Sequence, residues 1–192
     1  LDALPATLVR GDTYYIGDGT YVAYTFDDAV DGTTLITVKK ATAADHGTET
    51  GWDSSYGDGQ AVFNGTIQFT SSYFVFDGAT GGGYSAWGSG FGFKIVTTGE
   101  QDSIRAGYTG TGNNITCRHI QFEGPGEDAS TGYGDAVALY GCSNFTLSYF
   151  WMYEIPRCPF FCSAADLIVE HGWVQSFKFP RAGSVHSEVA SL

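Results

Sequence analysis

The chain has 192 residues, of which 43% are hydrophobic and 16% aromatic, yet only 16% are charged, and its net charge is −12. That composition excludes bulk disorder, and nine scattered basic residues against 21 acidic ones leave no phosphate-tracking stripe, so nucleic acid is not an expected partner. No apolar run approaches the ~20 residues of a membrane-spanning helix, and the abundance of Gly, Thr and Ser over good helix formers points to short strands and frequent turns.

One domain over 1–192 is the expectation for this length. Leu1 opens without an initiator Met or a signal-peptide pattern, which reads as a mature or trimmed chain. The first half predicts short β segments at Tyr14–Ile16, Leu35–Val38, Ala61–Phe63, Ile67–Phe69 and Tyr73–Phe76. Loop excursions separate them near 43–59 and 81–90, with another at 124–134. The glycine-rich stretch Gly81 to Gly90 lacks a Gly-Lys-Ser/Thr ending, so it reads as a surface loop and not a phosphate cradle.

The second half carries a repeat. Segments opening at Asn114, Asn144 and Asp166 align with apolar residues at offsets 1, 3, 6 and 8. These are Ile115, Cys117, Ile120 and Phe122; then Phe145, Leu147, Phe150 and Met152; then Leu167, Val169, Gly172 and Val174, with Gly172 the exception. Alternation with period two marks a strand, and the skip from offset 3 to 6 marks a corner between two strands. A rung of this kind cannot bury its inner face alone, so the repeats must stack. The Asn or Asp at each opening suits a left-handed corner and an amide ladder. The repeat unit of about 22 residues therefore predicts an all-β right-handed parallel β-helix, a solenoid incomplete at its C-terminal end.

The repeat resembles that of pectate-lyase-like parallel β-helix proteins. The phrases Leu4-Pro-Ala-Thr-Leu-Val-Arg-Gly-Asp-Thr-Tyr-Tyr-Ile16, Gly141-Cys-Ser-Asn-Phe-Thr-Leu147 and His186-Ser-Glu188 are similar to those of secreted bacterial members. The resemblance implies a secreted, extracellular protein on a scaffold that hosts lyases, hydrolases, adhesins and inert fibres alike. It also implies where chemistry would sit. Lyases on this scaffold use calcium-binding carboxylates and an Arg or Lys base, which makes Glu170, Arg181, His186 and Glu188 the catalytic candidates, with Lys178 beside them. Calcium is the cofactor this reading admits, with Glu170 and Glu188 as its ligands. A hydrolase would instead use Glu170 and Glu188 as a carboxylate pair.

If offsets 1, 3, 6 and 8 face inward, offsets 7 and 9 face outward. They place Trp151 and Trp173 in one column, with Gln121 at its head and Tyr153 alongside. Aromatic faces of this kind suit sugar rings or a protein contact, unless a loop folds over them. The corner column at offset 5 is His119, Tyr149 and His171, read as structural. Cys142 and Cys162 lie about one rung apart, so a disulfide between them and a pair of buried thiols are both compatible with the spacing. Asn64, Asn114 and Asn144 head Asn-x-Ser/Thr sequons and are acceptor candidates in a secretory host.

The ending Ser184 to Leu192 reads as a strand in mid-rung, and an uncapped rung exposes core and unpaired backbone. The leading expectation is a non-catalytic extracellular β-helix that self-associates through that end, or is continued there by further rungs, and that bears or binds glycan. Its alternatives are a calcium-assisted polysaccharide lyase and a monomeric glycan-binding module using the Trp151/Trp173 strip.

Overall fold

In the computed structural model, residues 3–126 and 134–175 are described throughout, and 190–191 by their backbone. The protein is all-β. A short 3-10 turn covers Ser54–Tyr56, and all eleven strands join one sheet in which every named pairing is parallel. The strands are β1 (Thr13–Ile16), β2 (Gly19–Phe26), β3 (Ile36–Lys40), β4 (Ala61–Phe69), β5 (Phe74–Asp77), β6 (Phe93–Val96), β7 (Ile104–Ala106), β8 (Ile115–Glu123), β9 (Asp135–Tyr153), β10 (Cys158–Gln175) and β11 (Ala190–Ser191).

The registers sort these strands into three columns that the chain visits in the same order six times. The first column runs β1, β3, β5, then Ile115–Arg118, Phe145–Ser148 and Leu167–Glu170. The second runs Gly19–Val22, Ala61–Asn64, β6, Ile120–Glu123, Phe150–Tyr153 and Gly172–Gln175. The third runs Tyr24–Phe26, Ile67–Phe69, β7, Val137–Leu139, Phe160–Cys162 and β11. The 22-residue interval holds between Phe145 and Leu167. Elsewhere loops lengthen the return, so that Tyr24 pairs with Ile67, 43 residues on.

Corners are made by residues that tolerate a left-handed backbone. Tyr73, Asn114, Asn144 and Asp166 all have φ of 55–68° just before the first column, and the Asn144 amide donates to Asn114 Oδ1 at 3.0 Å. The next corner holds His119, Tyr149 and His171, again at positive φ. Their rings stack at 5.0 and 4.8 Å, within 15° and 5° of parallel. His119 Nδ1 also meets the buried Asp77 carboxylate at 2.7 Å, with Arg118 at 2.9 Å. Burial alone would raise Asp77, but the hydrogen bonds from His119 and the Ala79 amide, with the Arg118 charge, hold it below the usual carboxylate range.

The core fills the space inside the columns. Ile115, Cys117, Ile120, Phe122, Phe145, Leu147, Phe150 and Met152 are all buried, as the alternation predicts. Large rings dominate the earlier passes: Phe26 stacks on Phe69 at 4.8 Å, and Phe76 meets Phe93 at 4.5 Å. Gly172, the apparent exception in the repeat, has a packing reason. A Cβ there would overlap the Phe150 ring of the preceding pass. Around the last pass the core opens, with Leu167 and Val174 half-buried and Val169 40% exposed.

β2, β6 and β7 carry no strand expectation from sequence, and of the third column only Ile67–Phe69 was expected. All four cysteines are buried thiols. Cys142 and Cys162 are neighbours, and burial together with the nearby Cys162 raises the Cys142 thiol to about 11, but no disulfide joins them.

Candidate functional site

A well-formed concavity lies away from the expected Trp151/Trp173 face. It is a cleft of about 690 Å³ between β1 and the excursion that leaves β3, lined by Tyr14, Tyr15, Asp18, His46, Trp52 and Tyr56, among others. The loop is built around local turns. Thr42 and Asp45 form an isolated bridge, and Asp53 caps the 3-10 turn by accepting from the Ser55 amide at 2.9 Å. Trp52 packs flat on the His46 imidazole at 4.0 Å and 7°, with Tyr56 edge-on at 6.0 Å. Glu49 meets the other imidazole nitrogen at 3.2 Å.

Opposite this wall, Tyr15 lies against Gly47 so closely that a Cβ at residue 47 would collide with its ring. The Tyr15 hydroxyl is hydrogen-bonded to Asp45, which raises its pKa. Asp45 in turn takes a 2.6 Å ion pair from Lys39, and these two partners lower its own.

The floor is an ion pair. The Lys40 side chain is 1% exposed, and its ammonium lies 2.6 Å from Asp18 Oδ1. It also donates to Ala41 O at 2.6 Å and to Tyr56 O at 3.3 Å. Asp18 Oδ2 accepts from the Gly59 amide at 2.5 Å, and the Asp18 amide donates to Tyr56 O at 2.8 Å. Burial would raise the Asp18 carboxyl, but Lys40, the Gly59 amide and a hydrogen bond shared with Asp58 bring it below its ordinary value. The pair thus staples both ends of residues 56–59 onto the first two passes. A second, smaller cleft of about 340 Å³, lined by Lys40, Asp58, Gln60, Phe91 and Gln121, lies beside the same staple.

The predicted outward column is real in register, with Gln121 opposite Trp151 and Trp151 opposite Trp173, but it is not an open strip. Gln121 is buried, accepting from Gln60 at 3.0 Å and donating to the Tyr153 hydroxyl at 3.3 Å. Trp151 stacks on Tyr153 at 4.5 Å and lies beneath Gly88 of the 81–90 loop. Its indole nitrogen is buried without a hydrogen-bond partner among the described residues. Trp173 remains 48% exposed.

Of the other candidates, Glu170 is exposed and lies 3.9 Å from its neighbour His171. Lys178, Arg181, His186 and Glu188 lie outside the described residues. Among those described, no group of three or more His, Cys, Asp or Glu side chains is placed to hold a metal ion. Asn64 is exposed on β4, whereas Asn114 and Asn144 are the bonded corner residues.

The chain was compared with protein-family models, curated proteins and solved structures, and no match was found in any of the three.

Tyr14 and Tyr15 lie on the expected strand β1, but Trp52 and Tyr56 sit in a loop, where no periodicity marks them, so the cleft has no sequence pattern of its own. A usable signal was the density of Trp52, Tyr56 and His46 among glycines in a segment otherwise read as surface.

Proposed function

We propose that this chain is an extracellular, right-handed parallel β-helix of the pectate-lyase-like kind that binds carbohydrate in the cleft between β1 and the 42–57 loop. Six visits to three parallel columns, with left-handed residues at the corners, support the solenoid reading. The observation that carries the binding reading is the cleft itself, where Tyr14, Tyr15, Trp52 and Tyr56 gather around polar groups in a space of about 690 Å³. That volume lies within the range of small-ligand sites, and aromatic rings are the usual partners of the apolar faces of sugars. The buried staple beneath means the wall is held in place before any ligand arrives.

Isothermal titration of the full chain against a panel of oligosaccharides tests this. Saturable binding is expected, with Trp52→Ala weakening it at least tenfold while the circular dichroism spectrum is unchanged. Failure of every sugar to bind would refute it.

A second reading, self-association or continuation by further rungs, is favoured by the half-open last pass at Leu167, Val169 and Val174. Parallel strands from another copy would bury that face and pair its edge. Light scattering that finds only monomer at high concentration would remove the self-association form of this reading.

A further inference from the structure

Resting on that carbohydrate reading, the charge pattern around the cleft narrows the ligand. We infer that the cleft takes an ammonium-bearing saccharide, an amino-sugar oligomer, in preference to a uronate or a neutral one.

Residues 41–60 contain four carboxylates, Asp45, Glu49, Asp53 and Asp58, and no Lys or Arg. No Lys or Arg lines the cleft among the described residues, and Asp18 does. The two nearest cations are already engaged. Lys39 is held 2.6 Å from Asp45, and Lys40 is buried against Asp18 at 2.6 Å. Glu49 lies between Thr48 and Thr50, which both line the cleft, and stands 90% exposed with the His46 imidazole at 3.2 Å. Asp53, exposed as well, follows Trp52 of the cleft wall, and Asp58 lines the smaller neighbouring cleft.

A uronate entering this site would bring its carboxylate next to a loop that carries carboxylates and would find no Lys or Arg among the described lining residues to receive it. A protonated amine would find the reverse. Aromatic faces present negative charge to a cation, an attraction that grows as the cation is desolvated. The Glu49 and Asp53 carboxylates, which have no Lys or Arg partner among the described residues, add a screened Coulomb attraction of the same sign. The rings explain why a sugar binds, and the charges choose which.

The test uses the full chain and three tetrasaccharides of matched length, built from glucosamine, N-acetylglucosamine and galacturonic acid, at a pH where the amine is protonated. Choline serves as a non-saccharide cation. The glucosamine tetramer is expected to bind about tenfold more tightly than its acetylated counterpart at low salt, with the difference shrinking as salt rises. Glu49→Gln and Asp53→Asn, both at exposed side chains beside cleft-lining residues and the second keeping a good cap for the 3-10 turn, should weaken only the glucosamine tetramer. Equal or tighter binding of the uronate overturns the inference, as does glucosamine binding that neither salt nor these variants alter. Choline binding as tightly as the tetramer would remove its saccharide half. Binding by the acetylated tetramer alone would sink this inference and leave the carbohydrate reading standing; silence from all the sugars would sink both.

Discussion

Replacing Asp18 with Asn isolates what the staple beneath the cleft contributes. The change keeps the side-chain shape but removes the charge facing Lys40, whose side chain is 1% exposed. The ammonium is then left with the Ala41 and Tyr56 carbonyls. Breaking one side of a buried pair costs roughly 3–5 kcal/mol. Because the Asp18 side chain is 19% exposed, the lower end applies, about 3 kcal/mol. For a chain of this size that corresponds to a fall in melting temperature of roughly 6–12 °C.

Lys40→Met should cost less, about 1–2 kcal/mol, since Asp18 keeps the Gly59 amide and some water. The double variant should resemble Lys40→Met alone, giving a coupling energy of about 2 kcal/mol or more. Urea unfolding of the four proteins measures this directly. An Asp18→Asn cost below about 1 kcal/mol, or single costs that add within ~0.5 kcal/mol, would refute the reasoning.

The pH dependence gives a second check on the same pair. The Asp18 pKa is lower in the folded state than its ordinary value, so its contribution is full above the unfolded carboxylate pKa of about 3.9. It is lost as pH falls through the lower folded value, and Asp18→Asn should flatten that part of the acid limb.

Three further outcomes are expected. Phe122→Ala removes a fully buried ring facing the centre of the second column and should cost about 3–5 kcal/mol by urea unfolding. At the Asn144 corner, with φ of 55°, Asn144→Ala should be more destabilising than Asn144→Gly by about 1 kcal/mol, because both lose the amide bond to Asn114 but only alanine strains the backbone; equal costs would show the corner conformation is not the determinant. Thiol titration without reductant should count four reactive cysteines after denaturation and almost none before, and a count of two would mean Cys142 and Cys162 are paired.

Much of the scaffold was legible in the residues. The alternation at Ile115, Cys117, Ile120 and Phe122, repeated from Phe145 and Leu167, predicted which side chains line the core, and those of the first two segments are buried. The Asn114, Asn144 and Asp166 corners were legible for the same reason, since few residue types accept a left-handed backbone without penalty. The third column was legible only at Ile67–Phe69. Its strands β7 and Phe160–Cys162 are short and follow loops of unequal length, so no fixed interval brings them into alignment.

The sequence by itself determined the local geometry of this protein: period-two strands, left-handed corners, and a core whose inward positions follow from spacing between adjacent residues. Only the tertiary structure decided which of those surfaces are covered and which enclose a cleft. It laid the 81–90 loop over Trp151, and it folded the 42–57 loop across β1 to enclose Trp52, Tyr56 and Tyr15. It also buried Lys40 against Asp18 under both clefts. The reason is physical: strand and corner preferences act between neighbours in the chain. Loop placement depends instead on hydrogen bonds, ion pairs and ring contacts that span from a few residues to more than sixty, as between Gln60 and Gln121, and no local pattern encodes them.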